Sequence, residues 1–264
     1  GTQTYQLTGA NSKGASGAIV AIGLTTLDMN TIKKNTALLT GSIDSYIYSE
    51  AGVVAFEDMA ANDAEVIEPD AIVGPLGYAG DVTDPTLLTW SISIDQKTLT
   101  LTFDETMQNS EVVVTELTLH DNADGSGESF SFTTESSVVS APDSTEVTIS
   151  IGNGDMNILK AKENLAISLL KSYLAMTVGA AKDMVNRNVN IIDASTPKRA
   201  TSYEGDKTAP EFVGFDLNLN LVNPSITFSF SETVRAATAV ANKIRFINPS
   251  TNPLQAYTLT DISM

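Results

Sequence analysis

The chain repeats itself, and the repeat is cut away from its natural boundary. Residues 81–85 read DVTDP and residues 206–210 read DKTAP, so Asp81 recurs as Asp206, 125 residues later. WSISIDQKTLTLTFDETM from Trp90 faces FDLNLNLVNPSITFSFSETV from Phe215, each run ending in Phe-x-Glu-Thr (Phe103 and Glu105; Phe230 and Glu232). The DMNTI of residues 28–32 recurs as DMNIL at 155–159, and Asp58-Met59 with Asn62 recurs as Asp183-Met184 with Asn186. Three stretches follow: the back part of a module (1–80), one whole module (81–205) and the front part of a third (206–264). Self-similarity at a fixed period marks an array of modules, and arrays more often hold, span or bind than catalyse.

Within each module, apolar residues alternate with Thr or Ser. Thr98-Leu99-Thr100-Leu101-Thr102-Phe103, Ser225-Ile226-Thr227-Phe228-Ser229-Phe230, Glu116-Leu117-Thr118-Leu119 and Glu146-Val147-Thr148-Ile149-Ser150-Ile151 all do so. Period-two alternation describes strands with one buried and one wet face. Turn clusters such as 121–127 (DNADGSG) separate them. The predicted fold is all-β: antiparallel β-sandwich modules in tandem with a repeat of about 125 residues, each with one short helix. The helices are expected over 28–38 and 155–165, with Asp155 as N-cap. Trp90, Leu99, Leu101, Phe103, Leu117, Leu119, Val147, Ile149 and Ile151 form the predicted core of the whole module.

The order D-x-T-x-P, alternating strand, Phe-[Ser/Asp]-Glu-Thr, then a late Asp-Met-x-x-Asn resembles the bacterial-type immunoglobulin-like (Ig-like) domain of S-layer and adhesin proteins. With its DMN-headed helix and following tyrosine strand (Tyr46, Tyr173), it resembles still more the tandem Ig-like repeats of very large surface proteins of microalgae and related protists. The resemblance covers nearly the whole chain. It implies an Ig-like β-sandwich, an extracellular or cell-surface structural or adhesive role, and no enzymatic activity. The late motif of that type often reads Asp-x-x-Gly-Asn, a glycine this chain lacks.

Composition narrows the function. Thirty-two acidic against 15 basic residues give a formal charge of −17, opposite to what phosphate neutralisation by a nucleic-acid binder requires. No cysteine is present and His120 is the single histidine, which removes thiolate and multi-histidine metal sites. His120 is expected at a surface strand end. No apolar run approaches the 18 or so residues a transmembrane helix needs. The one cofactor the side chains suit is calcium, a hard cation that takes several oxygens. Its candidate ligands are Asp81, Asp84, Glu105, Asp183 and Asn186; the competing reading makes Asp81 and Asp183 turn residues. A catalytic pair of one carboxylate from Asp104-Glu105 and that of Asp183 lacks a cleft and aromatic sugar platforms, since Trp90 and its counterpart Phe215 read as core.

The sequence therefore points to a structural subunit of an extracellular filament or surface layer whose main partner is its own kind. The alternative is an adhesin or carbohydrate-binding module with a glycan partner. The front part (206–264) and back part (1–80) are complementary, and Tyr5-Gln6-Leu7-Thr8 matches Tyr257-Thr258-Leu259-Thr260. Head-to-tail assembly by strand donation is then expected to use Thr4, Tyr5, Gln6, Leu7, Thr8, Tyr257 and Leu259.

Overall fold

The computed structural model describes residues 3–13, 15–49, 56–248, 250 and 255–260. Among these residues it is mostly β-structure with two α-helices, and the chain divides into two compact units. The first comprises residues 1–156 and 164–206; the second comprises 157–163 and 207–264.

The first unit opens with the antiparallel pair β1 (Ala10–Lys13) and β2 (Ala21–Leu24), followed by helix α1 (Thr26–Lys34). Next come β3 (Leu87–Ser93), β4 (Thr98–Met107), β5 (Leu117–His120), β6 (Ser129–Ser131), β7 (Ser137–Val138) and β8 (Ser144–Ser150). Helix α2 (Asn153–Ala161) begins in this unit and ends in the second. Strands β9 (Tyr173–Met176), β10 (Lys198–Arg199) and β11 (Ser202–Glu204) complete the unit.

Strands β3 to β11 form two sheets, one ordered β11-β3-β4-β8-β7 and the other β10-β9-β5-β6. The Thr/Leu alternation becomes the pleat: Leu99, Leu101 and Phe103 are buried and the threonines between them half-buried. All nine residues of the predicted core are buried. Trp90 Nε1 reaches from one sheet to the other, donating to the Lys198 carbonyl at 2.8 Å. The pairings are antiparallel except β11 with β3, which run parallel, so the wholly antiparallel expectation gives way at that edge. His120 also departs from expectation, for it is buried at the end of β5 opposite Tyr173 and Ser129.

Helix α1 starts at Thr26 because Thr25 is its cap, accepting from the Asp28 amide at 3.0 Å. Asp28 is thus the third helical residue, and Asp155 holds the same place in α2, so neither is the N-cap. Their carboxylates face backwards along the chain. Asp28 accepts from Tyr5 Oη, Thr25 Oγ1, and both the amide and hydroxyl of Thr8. Asp155 accepts from the amide and hydroxyl of Thr133 and from Ser136 Oγ.

The second unit holds two hairpins, β12 (Phe212–Asn218) with β13 (Ser225–Phe230) and β14 (Arg245–Asn248) with β15 (Gln255–Thr258). Their registers echo the first unit. Trp90 opposes Leu101 and Ile92 opposes Leu99; Phe215 opposes Phe228 and Leu217 opposes Ile226. The irregularity between Leu87 and Thr89 returns between Phe212 and Gly214. Leu119 opposes Phe130 as Phe246 opposes Tyr257.

Candidate functional site

A cluster of charged side chains within the first unit lies where α1 packs on β4. Lys33, in the last turn of α1, places Nζ 2.6 Å from Asp81 Oδ2 and 2.5 Å from Glu105 Oε2. Asp183 joins through a backbone bridge to Met107, two residues beyond Glu105. One oxygen from each of Asp81, Glu105 and Asp183 lies within 4.8 Å of the others. Beside the ion pairs, Thr106 Oγ1 donates to the Asn30 carbonyl at 3.0 Å. Glu-Thr on the strand and Asp-Met-Asn on the helix, read separately in the sequence, are therefore two halves of one contact.

The second unit repeats it. Lys160 of α2 pairs with Glu232, and Thr233 Oγ1 donates to the Asn157 carbonyl at 2.9 Å. Lys33 and Lys160 were missed by sequence reasoning. Their signal was present, since each stands five residues after the Asp of the DMN motif.

Three of the five candidate ligands meet in this cluster, and two do not. Asp84 pairs with Arg187, whose Nη2 lies 2.6 Å away. Asn186 accepts from Gln108 Nε2 at 3.3 Å. Asn186 has φ 68° and Ala61 has φ 64°, so the left-handed residue is the fourth of both late motifs. Asn62 thus matches Arg187 rather than Asn186, and the glycine of the resembled motif falls where the backbone is left-handed.

Burial and charge oppose each other in the cluster. Burial lowers the Lys33 ammonium, but the Asp81 and Glu105 carboxylates more than restore it and leave it raised. Burial raises the Asp81 carboxyl, yet Lys33 and the Thr83 amide hold it below its usual range. For Glu105, burial outweighs the lysine and the carboxyl is raised. Asp183 is also raised, chiefly by burial, although the Arg187 and Val185 amides donate to its Oδ1. Its Oδ2 is buried with no hydrogen-bond partner among the described residues. One ammonium thus serves three carboxylates. Raised carboxyls also mark acid–base catalysts; here Glu105 and Asp183 are 5% and 0% exposed.

The three carboxylates are of the type a calcium ion takes, and Lys33 stands against two of them. Wild-type melting curves in excess calcium and in chelator are therefore expected to coincide. A rise in melting temperature that chelator reverses would show that the cation displaces the ammonium.

The residues expected to mediate assembly are dispersed. Residues 4–8 lie outside any strand, with Tyr5 and Thr8 engaged by Asp28 and with Thr4, Gln6 and Leu7 exposed. Tyr257 is exposed on β15, and the Leu259 amide donates to the Ile244 carbonyl, as the Phe132 amide does to Leu117. Among the described residues, no helix is long and apolar enough to cross a membrane. Comparison with family models, curated proteins and solved structures returns no match.

Proposed function

We propose that the protein is a structural segment of an extracellular filament or surface layer, an array of Ig-like β-sandwich modules in which copies join by completing one another's split modules. One observation carries this reading: the second unit repeats the strand registers of the first but leaves uncovered what the first buries. Phe215 is 53% exposed against 1% for its counterpart Trp90, and Leu217 47% against 2% for Ile92. The first unit also carries an open apolar surface. A cavity of about 1010 Å³ opens among residues 24–83 and reaches Met184 and Val185; Leu24, Tyr46, Ile47 and Val73 line part of it. In the whole module the counterpart of the exposed Ile47 is Leu174, which is fully buried.

Apolar faces of this extent drive association, because covering them releases ordered water and satisfies open strand edges. The occupant we assign to the β12–β13 and β14–β15 face is the 24–80 region of another copy. The two surfaces differ, so the contact is head-to-tail and propagates into a fibre unless it closes into a ring.

Light scattering of the full chain across concentration, with negative-stain microscopy, tests the reading. Wild type is expected to assemble with rising concentration. Phe215→Glu is expected to remain monomeric while the first unit melts as before. A wild type that stays monomeric at every concentration overturns the proposal, as does a Phe215→Glu variant that assembles equally well.

A further inference from the structure

We infer that Asn153–Gly154 is a self-modifying site, where the Gly154 nitrogen displaces the Asn153 side-chain amide with Glu135 as base and the Lys97 ammonium on the carbonyl oxygen. The product is aspartate or isoaspartate at position 153, and ammonia is released. The site lies wholly within the first unit and does not depend on how copies assemble.

Of the chain's asparagines, Asn153 is the only one followed by glycine. A following glycine has no Cβ to shield its nitrogen, and its backbone freedom lets that nitrogen swing toward the asparagine side chain. Packing accounts for the glycines here as well. A Cβ added at Gly154 would collide with the Glu135 carboxylate, and one added at Gly152 with the Glu135 backbone. The Gly154 amide stands in the first turn of α2, where N–H groups have no acceptor within the helix. Cyclisation through that nitrogen therefore breaks no bond it makes to the helical ladder. Asn153 is exposed, so water reaches the ring that forms. Helix α1 carries Thr26-Leu27 at the matching positions, which confines the chemistry to α2.

Two side chains stand at the atoms that react. Glu135 Oε2 accepts from the Gly154 amide at 2.8 Å, and Lys97 Nζ donates to Asn153 Oδ1 at 2.9 Å. Each is held in place from elsewhere. The Lys97 carbonyl accepts from the Ile151 amide at 2.8 Å, which brings the β3–β4 turn beside Asn153. The 133–136 loop is tied to the start of α2, because Thr133 and Ser136 donate to Asp155 and the Gly152 amide donates to Ser136 Oγ. The steps balance with water alone. Glu135 takes the Gly154 proton as the nitrogen bonds to Asn153 Cγ, and Lys97 offsets the negative charge growing on Oδ1. The Cγ–Nδ2 bond then breaks, and Nδ2 leaves as ammonia with the proton that Glu135 returns. Water opens the cyclic imide at one carbonyl or the other, giving aspartate or isoaspartate. Either product puts a new carboxylate in the first turn of α2, where the helix dipole favours it. Isoaspartate also lengthens the main chain by one methylene.

The test incubates the purified full chain at neutral pH and samples it over time. A glutamate-specific digest releases residues 147–163, which hold the single Asn–Gly pair. Mass spectrometry follows the exchange of amide for carboxyl in that peptide, and hydroxylamine traps the imide. Asn153 is expected to convert faster than every other asparagine of the chain. Glu135→Gln is expected to slow the conversion about tenfold or more, because glutamine still accepts from the Gly154 amide but does not take its proton. Lys97→Met is expected to slow it about tenfold, through loss of the donor on Oδ1. Both variants are expected to melt as wild type does, since neither side chain is buried. An Asn153 that stays unconverted in wild type overturns the inference. So does a rate in Glu135→Gln equal to or above that of wild type, which would mean that the carboxylate only pins the amide. An unchanged rate in Lys97→Met removes the lysine from the mechanism.

Discussion

Trp90→Ala is expected to destabilise the first unit by about 3–5 kcal/mol, whereas Phe215→Ala at the matching position of the second unit is expected to cost the unassembled chain less than about 1 kcal/mol. The contrast follows from burial alone. Trp90 is 1% exposed and Phe215 53% exposed, although both sit at one register position of one hairpin design. Removing the indole leaves a large cavity and also loses the hydrogen bond from its Nε1 to the Lys198 carbonyl. Trp90 is the sole tryptophan, so unfolding of that variant is followed by circular dichroism in denaturant. Leu101→Ala keeps the fluorescent reporter and is expected to cost about 2–5 kcal/mol. A loss below about 0.5 kcal/mol for either substitution in the first unit would mean that β3 and β4 do not form its core.

Much of this architecture was legible because it is local. Alternation of threonine and leucine fixes which side chains face inward, so the nine core positions could be read from the sequence. Helix starts were off by two residues because Asp28 and Asp155 resemble caps, whereas Thr25 takes that role in α1 and both aspartates receive donors from an earlier strand or loop. The charge cluster was half legible. Asp81, Glu105 and Asp183 stood out as carboxylates at repeating positions, but the lysine completing them lies 72 residues from Glu105 in sequence. No local pattern reports a contact of that span; only the recurrence of lysine behind both DMN motifs did. Asp84 was read as a ligand because it neighbours Asp81, yet Arg187 at long range claims it. Burial of His120 had no sequence signal, since its partners Ser129 and Tyr173 arrive from two different strands.

Lys33→Met is expected to cost about 3–5 kcal/mol at neutral pH, the range for removing one partner from a buried ion pair and leaving the other charge uncompensated. Its dependence on pH separates this cause from lost packing, because methionine keeps most of the apolar stem. In wild type, Glu105 and Asp183 have folded-state pKa values above their ordinary 4.5 and 3.8. Between those ordinary values and the raised ones the folded state binds more protons than the unfolded chain, so these two groups add stability as pH falls from neutral and lose it as pH rises. Asp81 acts in the opposite sense. Its folded pKa lies below 3.8, so its contribution is complete above that value and is lost as pH drops through the folded one. The stability of the first unit is therefore expected to climb on mild acidification toward about pH 4.5 and to fall below about pH 3.8. Without the ammonium, Asp81, Glu105 and Asp183 face one another alone, and each is driven further toward its protonated form. Lys33→Met should then show a steeper gain between neutrality and mild acid, recovering part of its deficit, and Glu105→Gln in the same background should flatten that gain. Chemical denaturation at closely spaced pH values measures both slopes. Parallel curves for wild type and Lys33→Met would mean that the lysine does not compensate these carboxylates, and that packing alone joins α1 to β4.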